Sequence, residues 1–149
     1  MLRQTEGVQG SVYFSSKTFA SNPLGWNDSL RNNYYRVPAI IPPMWWIDSV
    51  PPAKPVLDQS KVIFDGASLK LGFKNQDGDV RNYAFYYSEE NNIETGDTRF
   101  LLAIIPAAAI REAVIRLPAS EKKTDRYLKV TAIDVNNNES EAEAVLLFR

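Results

Sequence analysis

The side chains in this chain that could do chemistry are few in kind. Among its 149 residues there is no Cys and no His, which excludes thiol nucleophiles, disulfides, Cys/His zinc sites and every triad that uses imidazole as its base. Carboxylates, hydroxyls, Lys and Tyr are what is left. Ser15, Ser16 and Lys17 have the residue types of a Ser/Lys nucleophile pair, but that chemistry needs a desolvated Lys, and nothing in the sequence indicates one. Asp77, Asp79, Glu89, Glu90 and Asp97 lack the spacing of a calcium loop and read as solvated loop charge. No metal and no cofactor is expected.

Aromatic residues offer a different chemistry, that of a surface on which a sugar ring lays its apolar C–H face. Trp26, Trp45 and Trp46 are the three Trp, and Trp has the largest such surface. Trp among apolar neighbours is more often packed than exposed, so the pattern favours packing of a helix and a domain junction over a platform. Tyr83, Phe85 and Tyr87 share one face by period-2 alternation and read as core, which leaves Tyr86 spare on the other face.

Charge gives little direction. The 17 Lys+Arg and 18 Asp+Glu leave a formal net charge of -1, no field with which to steer a polyanion, so nucleic acid is not expected as a partner. The longest apolar stretch, Phe100 to Ile110, is too short for a bilayer and carries Pro106. Membrane insertion is not expected. The opening MLRQTEGVQG has no apolar run behind a basic start, as a secretory leader would.

The elements that must position these residues fall into two unequal parts. All three Trp lie in the first 50 residues, and six of the nine Pro lie between Pro38 and Pro55, where Pro-Pro and Pro-x-x-Pro continue neither a helix nor a central strand. A boundary near residue 50 follows. Before it, Gly10 to Phe14 reads as a short strand, and Asn22-Pro23 as an N-cap with Pro at the first helical position. That places Trp26, Leu30 and Tyr34 on one helix face. One strand and one helix are too little to bury so many aromatics, so a further part upstream is expected.

After Pro55 short alternating segments are separated by turn signals. Val62 to Phe64, Asp65-Gly66 and Ser68 to Phe73 predict a hairpin with a type I′ turn. Val80 to Ser88, Arg99 to Ile105, Glu112 to Leu117, Tyr127 to Asp134 and Glu141 to Phe148 are further strands, with a short helical turn at Ala107-Ala108-Ala109. In the last strand Ala142, Ala144, Leu146 and Phe148 share one face, while Glu139, Glu141 and Glu143 read as its wet side. The fold class is all-β, an immunoglobulin-like or fibronectin type III sandwich of about seven strands.

Three stretches carry a resemblance to a known family: GSVYFSSKTF (10–19), NPLGWNDSLRNNYYRVPAIIPPMWWID (22–48) and PPAKP (51–55). Together they resemble the end of the catalytic barrel in the glycosyl-hydrolase-like family related to family 10, bacterial envelope proteins. There a fibronectin type III-like domain follows, often with a Val-Thr-Ala-x-Asp then Asn-Glu-Ser pattern, present here as Val130 to Asp134 and Asn138 to Ser140. Leu128 stands where such sandwiches often have a Tyr that forms a corner hydrogen bond, and Tyr127 should face the other side.

The resemblance implies that residues 1–50 are the strand-helix remnant of a (β/α)8 barrel plus a Pro-rich linker, and 51–149 the sandwich. It implies a non-catalytic accessory region of a hydrolase acting on cell-wall glycan or other polysaccharide. The paired carboxylates of glycoside cleavage would lie on earlier barrel strands, so this chain alone should be inactive. Ser15, Ser16 and Lys17 would then follow the last barrel strand, on the face where barrels meet substrate. With Trp45 and Trp46 they are the candidate substrate contacts. The implied partners are the missing barrel and polysaccharide, and the implied location is the cell envelope, periplasmic or extracellular. A carbohydrate-binding module built on the Trp pair, and a protein-interaction module, are the competing readings.

Overall fold

A computed structural model describes residues 12, 15–35, 39–58, 61–75, 78–112, 114–119 and 125–147. The contacts divide the chain into two units, Met1–Arg36 and Val37–Arg149.

In the first unit, helix α1 (Ser16–Ser21) ends at Asn22, a non-glycine residue in the left-handed region at φ 42°. A 3-10 turn (Pro23–Gly25), a short helix α2 (Trp26–Ser29) and a π turn (Leu30–Tyr34) follow. The expected single helix from Pro23 is broken because Leu24 (φ 56°) and Gly25 (φ 69°) also turn left-handed. Asn22 still acts as a cap, at longer range than expected. Its Oδ1 accepts from the Asn27 backbone N–H at 2.9 Å and its Nδ2 donates to Asp28 at 2.7 Å. Trp26 packs on Phe19 with ring centroids 4.7 Å apart. The strand expected at Gly10 to Phe14 lies outside the described residues apart from Val12.

The second unit is antiparallel β. Nine strands are described: β1 (Val56–Leu57), β2 (Ile63–Phe64), β3 (Ser68–Lys70), β4 (Phe73–Asn75), β5 (Val80–Ser88), β6 (Leu101–Pro106), β7 (Val114–Arg116), β8 (Arg126–Asp134) and β9 (Glu143–Leu147). They form a pair β1-β4, a triplet β2-β3-β7 and a four-stranded sheet β6-β5-β8-β9. Leu57, Leu69 and Ile115 of the smaller sheets share one buried core with Tyr83, Phe85, Leu128, Val130 and Val145 of the larger. Burial of this apolar face drives the association. A second cluster on the opposite face of the large sheet gathers Ala84, Tyr86, Ile93, Leu101 and Ile133, with Ile40 and Tyr127 packed against it.

Several expectations are met in altered form. The 62–73 hairpin exists as β2-β3, pairing Phe64 with Leu69, but Gly66 is the loop's one positive-φ residue among those described, at 90°, so the turn is not type I′, which needs two. The single strand expected over Ser68 to Phe73 changes sheet instead. β3 pairs with β7 and β4 with β1, and the switch falls at Leu71-Gly72. A Cβ at Gly72 would lie 2.6 Å from the Lys61 Cβ, so only Gly allows Lys61 this close. The helical turn after Pro106 is a 3-10 segment, Ala107–Glu112.

Two face assignments are corrected. In β9 it is Val145 that is buried while Ala144 is exposed; pairing of Leu128 with Val145 sets which residues meet the core. Tyr86 is not spare: it is fully buried in the second cluster. Alternation predicted its face correctly, and that face meets neighbouring segments of the chain.

Candidate functional site

Besides the loop that carries Ile93, two segments lie over that second face. Residues 39–51, extended by Pro42, Pro43 and Pro51, turn over at 45–47, where the Ile47 and Asp48 N–H groups donate to the Met44 carbonyl at 2.9 and 3.2 Å. The Met44 N–H in turn donates to the Asn136 carbonyl at 2.9 Å. This fastens the Pro-rich stretch to the turn that follows β8. No regular sheet pairing is possible for so many Pro, and isolated main-chain and side-chain bonds take its place.

The turn itself is organised by Asp134. This buried carboxylate accepts the Asn136 and Asn138 N–H groups on Oδ1, both at 2.8 Å, and the Asn138 side-chain amide on Oδ2 at 2.9 Å. The same Asn138 Nδ2 donates to the Asp48 carbonyl at 3.1 Å, a second tie to the Pro-rich stretch. Asn137 takes the left-handed conformation the turn requires, φ 65°, which Asn tolerates better than other residues with a Cβ. Glu139 follows. Its Oε1 accepts hydrogen bonds from the Tyr86 and Thr131 hydroxyls, each at 2.6 Å, and Tyr86 Oη accepts the Gly96 N–H at 3.0 Å. Burial, first, and the bond to Glu139 raise the Tyr86 phenol above its ordinary range, so it stays a protonated donor.

Between the Pro-rich stretch and this turn lies a cleft of about 430 Å³, with Ile40, Ile41 and Trp45 among its apolar residues and Ser49, Asn137 and Glu139 among its polar ones. Its volume is that of a small-molecule site. Trp45 lines the cleft and is 70% exposed, so much of its surface is accessible to a ligand. Glu139, by contrast, is held still by two hydroxyl donors. The described lining contains one carboxylate side chain and no Lys or Arg. One carboxylate is half of what acid/base cleavage of a glycosidic bond uses, and the arrangement is suited to hold a ligand.

The residues singled out from sequence are scattered across the two units. Ser15 precedes α1 and its carbonyl accepts the Thr18 N–H at 3.0 Å, while Ser16 and Lys17 sit exposed in the first turn. Trp45 lines the cleft and Trp46, 80% exposed, does not contribute to its lining. Trp26 is packed, as the sequence favoured. Glu139, read as the wet face of the last strand, instead lies before β9 and is half-buried in a hydroxyl network; Glu143 pairs with Lys54 at 2.7 Å, which raises the Lys54 pKa, chiefly through that hydrogen bond. Sequence reasoning missed Asn137 and Glu139 as cleft residues. Asn136-Asn137-Asn138 is legible in the sequence as a turn, because Asn tolerates the left-handed region; that this turn projects Asn137 and Glu139 into a cleft is not.

Among the described residues no group of three or more carboxylates gathers in a way that could hold a metal ion. Asp97 is engaged by Arg99 at 2.6 Å, whose side-chain bond lowers the carboxyl's pKa. No helix of the described residues is long and apolar enough to cross a membrane.

Comparison with known proteins gives a relation in sequence. No family model matches the chain. It is 34% identical over 140 residues to a protein of Bacillus subtilis (strain 168) named glycosyl hydrolase YngK, an alignment that covers 94% of this chain and 27% of that protein. The chain therefore spans about a quarter of its relative's length, and over that span it is related to a glycosyl hydrolase. Among solved structures it is similar to the Clostridium perfringens spore cortex lytic enzyme SleM, with a TM-score of 0.46 and 16% identity over 67% of this chain and 29% of that one.

Proposed function

We propose that this chain is a non-catalytic accessory region of a glycoside hydrolase acting on cell-wall glycan or another polysaccharide outside the cytoplasm. In this reading residues 51–149 form a fibronectin type III-like sandwich, and residues 1–50 are the end of a catalytic barrel with its Pro-rich exit. The carrying observation is the 34% identity to a named glycosyl hydrolase over 94% of this chain, confined to 27% of the relative. A (β/α)8 barrel takes about 250 residues, more than this chain has, so the bond-cleaving carboxylates belong to another part of such a protein. The single carboxylate among the described residues of the cleft fits that division of labour.

The test is direct. Purified chain is incubated with cell-wall glycan and with soluble polysaccharides, and new reducing ends are measured. The expected result is none above a protein-free control. Sustained release of reducing ends by this chain alone would overturn the non-catalytic reading.

A further inference from the structure

The cleft between the Pro-rich stretch and the turn after β8 has a chemistry that the accessory reading leaves unassigned. Its two walls differ. On one, Trp45 is exposed over most of its surface, beside the apolar side chains of Ile40 and Ile41. On the other, Asn137 and Glu139 are held by a rigid turn, Glu139 through Tyr86 and Thr131 and the backbone of Asn137 between two residues tied to Asp134. A flat apolar surface across from a carboxylate held by two hydroxyls and an amide carried on a rigid turn matches a ligand with one apolar face and a rim of hydroxyls. A pyranose ring has that form: axial C–H bonds present an apolar face to an indole, and equatorial hydroxyls donate to a carboxylate or exchange bonds with an amide.

We infer that this cleft is a binding subsite for a neutral oligosaccharide, with Trp45 as the stacking surface and Glu139 and Asn137 as the hydroxyl-reading groups. The inference rests on the accessory reading for its biological setting but not for its geometry. Neutrality follows from the lining. Glu139 repels an anionic sugar, and no Lys or Arg of the described lining offsets it. Glu139 is also prearranged. Both hydroxyl donors bind the same oxygen, Oε1, so the carboxylate is oriented before a ligand arrives, which lowers the ordering cost of binding.

The test follows Trp fluorescence and heat of binding as the chain is titrated with cellotetraose, chitotetraose and, as the anionic comparison, tetragalacturonate. At least one neutral tetrasaccharide should saturate the chain at millimolar concentration, with tetragalacturonate binding at least about tenfold more weakly. Trp45→Ala should weaken binding about tenfold or more, while Trp46→Ala, at a more exposed neighbour outside the lining, should leave it within about twofold. Asn137→Gly keeps the left-handed backbone and removes the amide, and a loss of about fivefold is expected. Absence of saturation by either neutral sugar, equal loss from Trp45→Ala and Trp46→Ala, or preference for the anionic sugar would each overturn the proposal. Those failures leave the accessory reading intact, whereas hydrolysis of the same sugars would sink that reading and leave the cleft standing.

Discussion

Asp65 shows how a single side chain sets local structure. Its carboxylate accepts the Ser68 hydroxyl at 2.6 Å and the Ser68 and Ala67 N–H groups at 2.6 and 2.9 Å, closing the β2-β3 loop around Gly66. These bonds, the Ser68 hydroxyl foremost, lower its pKa from 3.8 to about 2. A depressed folded-state pKa means the unfolded chain takes up the proton first as pH falls. The carboxylate's contribution is therefore complete above pH 3.8 and is lost as the pH drops toward 2. Ser68→Ala should raise the Asp65 pKa toward its ordinary value in a carboxyl-carbon NMR titration, and the stability gap between the two proteins should narrow as acid is added across that window. A pKa that stays put in the variant would show that the backbone amides alone are sufficient. The Asp-Gly pair made this turn legible in the sequence. The turn type was not, because Ser68 competes for Asp65 through bonds that a dipeptide preference does not contain.

At the scale of elements, the sheet switch at Leu71-Gly72 divides one apparent strand into two that serve different sheets. Alternation through Ser68 to Phe73 is uninterrupted, so periodicity alone reads a single strand. The deciding contact comes from a loop earlier in the chain. Asp58 donates its N–H to the Gly72 carbonyl at 2.8 Å, and Lys61 occupies the space a Cβ would need. Gly72→Ala should cost about 1–3 kcal/mol by overpacking, measured by urea unfolding, since the neighbour to be displaced is a Cβ and not a flexible side-chain tip. A cost near zero would show that Lys61 moves aside freely. The same dependence on distant partners explains β9. Its alternation was visible, but which face turned inward was fixed by pairing with β8, which buries Val145.

Across the β unit as a whole, the Tyr86 hydroxyl links three separated stretches: β5 that carries it, the Gly96 amide that donates to it and the Glu139 carboxylate that it donates to. With Thr131 of β8 also on Glu139, the network fastens the 93–97 loop and the 137–140 turn to the second face of the large sheet. Tyr86→Phe removes two of these bonds while keeping the ring. It should destabilise the unit by about 1–3 kcal/mol, the range for a hydrogen bond to a charged group and a buried donor left unpaired. Chemical denaturation measures the loss, and faster amide exchange at Gly96 is its local signature; unchanged exchange would mean the loop is held by other contacts. The cleft depends on the same network, because Glu139 is positioned by it.

By itself the sequence determined the antiparallel β character of residues 56–147, through period-2 alternation and Asp-Gly and Asn-rich turns that act over a few residues. It also determined the exclusion of Cys and His chemistry, which is a matter of composition alone. The core role of Tyr83, Phe85, Leu128 and Val130 was legible for the same local reason: side chains two apart on a strand point the same way. Only the tertiary structure decided that a second face of the sheet is covered, that Tyr86 and Glu139 meet across 53 positions of chain, and that Trp45 rather than Trp46 lines a cleft. Those facts depend on which distant segments come together. Pairing of that kind is selected by the burial and hydrogen bonding of the whole unit, and it leaves no periodic trace in the residues that take part.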